Sequence, residues 1–74
     1  MRQLVGMNVR RTRIAIGMTQ EVLAERTGHT QQYISKLESG RRNPTVITLF
    51  EFAQVLGTTP AALITPDEGS NATA

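Results

Sequence analysis

Four polar side chains near the middle of the chain are the set best suited to chemistry. Gln31, Gln32, Ser35 and Lys36 carry amide, hydroxyl and ammonium groups, and none of the four is a carboxylate. A glutamine can pair through two hydrogen bonds with the N6/N7 edge of adenine, and a lysine can donate to O6 and N7 of guanine. Taken singly, each residue is better explained as a solvated side chain on a surface helix. Taken together, the set favours contact with the base edges of duplex DNA.

Two short helices joined by a tight turn would position this set. The hydroxyl of Thr19 can cap the first turn of one helix, and the hydroxyl of Thr30 can cap the next. Gly28 stands between them, where glycine accepts the positive φ that a quick reversal needs. Gly40 follows the second helix at the position where helices favour a left-handed residue. The stretch from residue 19 to residue 40 is therefore predicted to be a helix pair.

The apolar residues of this pair are spaced to share one core. Ala24 lies four residues before Gly28, so two steeply crossing helices can approach closely there. Leu23, Ile34 and Leu37 would then face one interior. The outward face of the second helix would carry Gln32, Ser35, Lys36 and Ser39, with Gln31 at its exposed end. This is the arrangement of a helix-turn-helix, whose second helix can enter a major groove.

The composition argues against several other kinds of site. The chain has 74 residues, which is one small domain with room for a single core. It has no cysteine, and His29 has no second histidine with which to bind zinc, so no metal or other cofactor is expected. Neither a membrane-spanning run nor a signal-peptide pattern is present, which predicts a cytoplasmic protein. Without a nucleophile–base pair or a glycine-rich phosphate loop, an enzyme is the poorest interpretation.

The charge distribution fits a polyanionic partner without establishing one. All eight basic residues lie within residues 1–65, together with four of the six acids, and seven of the eight are arginine. The arginine fork suits phosphate. Arg10 and Arg11 could meet DNA phosphates or could line a solvated helix face, and the sequence leaves both open. Arg41 and Arg42 begin the loop after the second helix, where they could hold the DNA backbone.

Three further helices are predicted, and no strand. Residues 3–16 form the first, residues 45–56 the fourth and residues 60–64 a short fifth. These elements make residues 1–65 the folded domain. Residues 66–74 are a small, polar, proline-containing tail that we expect to be disordered.

The first helix carries both core positions and a candidate ion pair. Its core positions, at near-helical spacing, are Leu4, Val5, Val9 and Ile16. Gly6 is mildly unfavourable in a helix and could mark the close approach of a neighbour. Glu38 follows Leu37 and so lies near the edge of the buried face, where a carboxylate needs a partner. Arg13 is the predicted partner.

The fourth helix has more apolar residues than one core stripe requires. They are Ile47, Leu49, Phe50, Phe52, Ala53 and Leu56. We expect the excess, together with Leu63 and Ile64, to contact a second copy of the chain. The alternative, equally open, is that Phe50 or Phe52 simply completes a small core.

Together these motifs resemble the phage-repressor, Cro-type helix-turn-helix family, also called the XRE family. The resemblance covers about residues 3–65 and rests on five motifs. They are G-M-T-Q (17–20), L-A-E-R-T-G (23–28), Y-I-S-K-L-E-S-G (33–40), R-N-P (42–44) and L-x-x-F-A-x-x-L-G (49–57). It implies an all-α, compact five-helix bundle of the lambda-repressor-like DNA-binding type, with helices two and three forming the helix-turn-helix. It also implies a dimer on a two-fold symmetric operator.

The resemblance assigns roles to matching positions and also shows departures. It implies base contacts by Gln31 and Gln32, backbone contacts by Gln20 and Arg42, and a buried Arg13–Glu38 pair. Thr27 and His29 replace residues that are usually aliphatic beside the turn, so looser or wetter packing is expected there. Val22 stands where an acid often completes the capping box, and Thr12 replaces a frequent leucine.

The leading hypothesis is a sequence-specific transcription regulator, a repressor, that binds double-stranded DNA as a homodimer. Its base-reading residues would be Gln31, Gln32, Lys36 and Ser35. Its backbone contacts would be Gln20, Thr30, Tyr33, Ser39, Arg41, Arg42, Asn43 and Arg10. The alternative is an antitoxin-like or protein-interaction module of the same fold, whose main partner is a protein.

Overall fold

The computed structural model describes residues 1–66, so the predicted disordered tail lies, except for Pro66, outside the described residues. Within this range the chain is all-α and has no strand, as predicted. The five helices are α1 (Arg2–Ala15), α2 (Gln20–Thr27), α3 (Gln31–Glu38), α4 (Val46–Leu56) and α5 (Pro60–Leu63). α1 packs against α3, α4 and α5, and α2 packs against α3 and α4.

Threonine hydroxyls begin four of the five helices. Thr19 accepts a hydrogen bond from the backbone N–H of Val22 at 3.1 Å, and Thr30 accepts one from Tyr33 at 3.0 Å. Thr45 and Thr59 do the same for α4 and α5. Each bond satisfies a backbone donor that the first helical turn leaves unpaired. Because these caps define where α2 and α3 begin, the register of both helices follows from local sequence.

The core is built from ten apolar residues drawn from all five helices. They are Val5, Val9, Leu23, Ala24, Ile34, Leu37, Phe52, Ala53, Leu56 and Leu63. Phe52 is 1% exposed whereas Phe50 is 53% exposed, so Phe52 is the ring that completes the core. The prediction of Ile16 as a core residue is wrong, because α1 ends at Ala15 and the Ile16 side chain is 50% exposed. Leu4 is half-buried rather than buried.

Two residues of α1 make close contacts with the backbone of other helices. A Cβ atom added at Gly6 would lie 2.9 Å from the carbonyl oxygen of Glu38 and closer still to that of Leu37, so the predicted close approach is confirmed. Asn8 was not singled out by sequence reasoning. Its buried amide donates to the carbonyl oxygens of Leu63 at 2.9 Å and Thr65 at 3.0 Å. These bonds fasten the C-terminal end of α5 to α1.

Candidate nucleic-acid interface

The exposed face of α3 brings together the predicted base-reading residues. Ile34 and Leu37 are buried against α1 and α2, which turns the opposite face of α3 to solvent. The residues exposed on or beside this face are Gln31, Gln32, Ser35, Lys36 and Ser39. Amide, hydroxyl and ammonium groups therefore lie along one side of a single rigid element, where their tips can reach a common surface.

An ion pair fixes the C-terminal end of this helix to α1. The Nε of Arg13 donates to Oε2 of Glu38 at 2.6 Å, and its Nη2 donates to Oε1 at 2.9 Å. A third hydrogen bond runs from Nη1 of Arg13 to the carbonyl oxygen of Met18 at 2.8 Å. The hydrogen bond to Glu38 raises the pKa of Arg13, burial opposes this, and the charge of Glu38 adds to the increase. This bidentate geometry matches the pairing predicted from the sequence.

The same carboxylate also orients Gln20 at the start of α2. The Nε2 of Gln20 donates to Oε1 of Glu38 at 3.0 Å. One carboxylate therefore links residues from three helices. Beside it lies an open polar groove, lined by Arg10, Gln20, Ser35, Glu38 and Ser39. The charge of Glu38 is already paired with Arg13. Arg10 and the polar side chains of the groove can therefore bind an anion.

The structure distinguishes the two arginines that the sequence left equivalent. Arg10 lines the groove and is exposed next to α3. Arg11 instead directs its Nη2 to the Oδ1 of Asn8 at 2.7 Å, on the residue that fastens α5. A phosphate contact is thus easier to assign to Arg10 than to Arg11.

Three aromatic rings pack together beside the turn between α2 and α3. The imidazole of His29 stacks on the ring of Tyr33, with centroids 4.3 Å apart and planes 16° apart, and it lies 5.6 Å from the ring of Phe52. Thr27 turns its hydroxyl to the carbonyl oxygen of Leu23 at 2.7 Å. Ring stacking and a helix hydrogen bond occupy this region, and the looser or wetter packing expected at Thr27 and His29 stays a prediction.

The loop after α3 presents cations next to the exposed face of α3. Arg41, Arg42 and Asn43 are exposed, and the guanidinium carbon of Arg42 lies 5.3 Å from the centroid of the Tyr33 ring. The backbone N–H of Arg41 donates to the carbonyl oxygen of Lys36 at 2.8 Å, which ties the loop to the end of α3. The loop therefore leaves the helix in a defined direction rather than as a free segment.

Sequence reasoning missed two parts of this region. The Gln20–Glu38 bond and the Arg42–Tyr33 contact join residues that are far apart in the chain or carry no periodic signal.

In the part of the chain that the structure describes, no group of three or more His, Cys, Asp or Glu residues could hold a metal ion. Across residues 1–66 no helix has both the length and the apolar character needed to cross a membrane.

Comparison with known proteins relates this geometry to a family. The helix-turn-helix family model HTH_3 matches residues 9–63, a range that contains every core residue except Val5 and every helix except the first half of α1. The uncharacterized HTH-type transcriptional regulator y4dJ of Sinorhizobium fredii is 56% identical over 68 residues, which cover 92% of this chain and 88% of that protein. The match thus extends along most of both chains.

Solved structures share the fold at lower identity. The restriction-modification controller protein C.AhdI from Aeromonas hydrophila superposes with a TM-score of 0.78 at 31% identity, covering 82% of this chain and 92% of that one. The hydroxypropylphosphonic acid epoxidase from S. wedmorenis gives a TM-score of 0.83 at 27% identity, but the match covers 92% of this chain and only 39% of the epoxidase. This chain therefore belongs to the helix-turn-helix family HTH_3, a family of DNA-binding transcription regulators.

Proposed function

We propose that this protein is a sequence-specific transcriptional repressor that places α3 in the major groove of an operator. The observation that carries the proposal is the exposed hydrogen-bonding face of α3, on a helix whose N-terminal end is capped and whose C-terminal end is held by an ion pair. A helix that is fixed at both ends can hold its side chains in register with successive base pairs. Base contacts are assigned to Gln31, Gln32, Ser35 and Lys36.

The residues around α3 are suited to hold the DNA backbone. Gln20 and Thr30 lie at the N-terminal ends of α2 and α3, where backbone N–H groups and the helix dipole favour a phosphate. Arg10 and Ser39 line the groove between α1 and α3, and Glu38 at its side is already paired with Arg13. The remaining backbone contacts are assigned to Arg41, Arg42 and Asn43, which are exposed in the loop after α3. Such contacts set the position of α3 without reading sequence.

A homodimer would bring two copies of α3 to a two-fold symmetric operator. α4 leaves Val46 and Ile47 70% and 72% exposed, one helical turn before Phe50, which is 53% exposed, and Ile64 after α5 is 39% exposed. Large apolar side chains exposed on one helix are typical of a protein interface. Leu63, which the sequence also suggested for this contact, is 1% exposed in the single chain and belongs to the core instead. Two reading helices in such a dimer would lie about 34 Å apart, one turn of DNA.

An antitoxin-like or protein-interaction module is the alternative, and the same apolar surface on α4 would suit a different protein. The exposed face of α3 favours the first function, because a carboxylate-free row of amide, hydroxyl and ammonium groups beside the exposed Arg10, Arg41 and Arg42 suits a polyanion better than a protein surface. We expect no catalytic activity. An operator-binding regulator of this kind needs neither a reacting group nor a cofactor.

The test is the selection of bound sequences from a random DNA pool at low and at moderate salt. We expect enrichment of a two-fold motif whose half-sites lie one helical turn apart, with an affinity that falls steeply as salt rises. Enrichment of a single half-site would contradict the dimer. No enrichment at either salt would overturn sequence-specific DNA binding and favour the module that binds a protein.

A further inference from the structure

Tyr33 lies in the first turn of α3, and its ring contacts a side chain from the loop that follows the helix. The guanidinium carbon of Arg42 is 5.3 Å from the centroid of this ring. That is within the separation of about 6 Å over which a cation and an aromatic face attract each other. The side chain that the loop would offer to a phosphate is thus already in contact with the reading helix.

Two further rings support Tyr33 from the protein interior. His29 stacks on it almost in parallel, and Phe52, which is buried in the core, contacts its edge with centroids 6.4 Å apart. The Nε2 atom of His29 is buried and makes no hydrogen bond within residues 1–66. The imidazole thus contacts the rings of Tyr33 and Phe52 and has no hydrogen bond at this atom. The result is a continuous path of contacts from the α4 core to the exposed guanidinium.

We propose that Tyr33 is a positioning residue that holds the Arg42 guanidinium ready for a DNA phosphate, with His29 and Phe52 fixing its ring. The proposal rests on the proposed DNA-binding function. It gives Tyr33 an indirect role through its ring, in place of a backbone contact by its hydroxyl. An exposed arginine loses side-chain freedom when it binds, and a preformed contact removes part of that loss before DNA arrives.

A double-mutant cycle tests the coupling between the two residues. The variants are Tyr33→Leu, Arg42→Ala and the two together, and the measurement is affinity for a mixed-sequence duplex, since a phosphate contact does not depend on sequence. Tyr33→Leu should weaken binding by about two- to fivefold while Arg42 is present, the range expected for an exposed cation–π contact. In the Arg42→Ala background it should change nothing. Tyr33→Phe keeps the ring and should bind as the wild type does.

Arg41 supplies the matched control. It is exposed and stands one residue earlier in the same loop, and within the described residues the contact with the Tyr33 ring is made by Arg42. Arg41→Ala should weaken binding, and Tyr33→Leu should keep its full effect in that background. Helix content by circular dichroism shows that each variant is folded.

Nuclear magnetic resonance of the free protein tests the contact without DNA. Ring current from Tyr33 should displace the side-chain proton shifts of Arg42 but not those of Arg41, and Tyr33→Phe should preserve the displacement. Should Tyr33→Leu fail to fold, Tyr33→Met replaces it, because a methionine fills much of the same space but has no aromatic face to attract a cation. Wild-type affinity in Tyr33→Met would overturn the proposal.

Three other results would overturn it. They are an equal loss from Tyr33→Leu with and without Arg42, a loss in Tyr33→Phe as large as in Tyr33→Leu, and undisplaced Arg42 protons. A wild-type protein that binds no duplex at any salt would instead show that the proposed DNA-binding function is wrong, and the positioning role would be rejected with it. The two failures are thus distinguishable.

Discussion

Gly6 of α1 lies directly against the carbonyl oxygen of Leu37 in α3. The two helices approach so closely here that even a methyl group on Gly6 would overlap that oxygen and lie 2.9 Å from the carbonyl oxygen of Glu38. Both obstacles are backbone atoms, which cannot turn aside as a flexible side chain would. The same crossing brings Arg13 within hydrogen-bond distance of Glu38. The position of the reading helix therefore depends on the absence of a side chain at Gly6.

Gly6→Ala should destabilise the protein by about 1–3 kcal/mol, the usual cost of overpacking. The change also improves helix propensity by about 1 kcal/mol, but only for a helix that is free of the clash. Chemical denaturation followed by circular dichroism measures the free energy of unfolding. A variant as stable as the wild type would show that α1 and α3 can separate without penalty, contrary to the close approach described above.

Asn8→Ala should destabilise the protein through the end of α5. The substitution removes the amide that serves the carbonyl oxygens of Leu63 and Thr65, and it leaves buried acceptors without their donor. Such a loss costs about 1–3 kcal/mol. Hydrogen exchange measures this effect. Relative to the wild type, the exchange rate of the backbone amides should rise more in α5 than in α2. Uniformly faster exchange in every helix would mean that Asn8 supports the whole core rather than this one junction.

Gln32→Ala should reduce affinity for the selected operator by about 1–3 kcal/mol and relax base preference at one position. Its effect on mixed-sequence DNA should be small, because base contacts add little to non-specific binding. Gln54→Ala is the control, since Gln54 is an exposed glutamine on α4 and not on α3. Equal losses on operator and mixed-sequence DNA would contradict the assignment of Gln32 as a base-reading residue.

Arg42→Ala should weaken binding to all duplexes by a similar factor. Removing one phosphate contact should lower the slope of log affinity against log salt by about one. Titrations at several salt concentrations, with operator and mixed-sequence duplexes, provide the measurement. A loss confined to the operator would identify Arg42 as a base contact instead.

Phe50→Ser should weaken dimerisation while leaving the monomer folded. The ring is 53% exposed, so the core does not depend on it, whereas a central aromatic residue of an interface is worth about 2 kcal/mol or more. Sedimentation equilibrium measures the dimer dissociation constant. Met7→Ser removes an exposed apolar side chain from α1 and should leave that constant unchanged. Unaltered dimerisation in Phe50→Ser would place the interface elsewhere.

Local signals in the sequence were sufficient for the helices and for the exposed face of α3. The threonine caps accept hydrogen bonds from backbone groups three residues away, and Gly28 and Gly57 end their helices with positive φ. The start and the end of these helices can therefore be predicted from residues within one helical turn. The side chains exposed on α3 follow from its period once Ile34 and Leu37 are taken as buried. The tail after Pro66 stays a prediction from composition.

Only the tertiary structure decided between residues of equal local character. Phe50 and Phe52 have the same side chain. Only the packing of α4 against the other helices determines that Phe52 is buried and Phe50 is exposed. Arg10 and Arg11 are neighbours, but the helix directs one to the groove and the other to Asn8. The ring cluster of His29, Tyr33 and Phe52 brings Phe52 of α4 against two rings near the start of α3, and no short sequence pattern connects Phe52 with them. Burial depends on which helices meet, and that is a property of the folded chain rather than of any one segment.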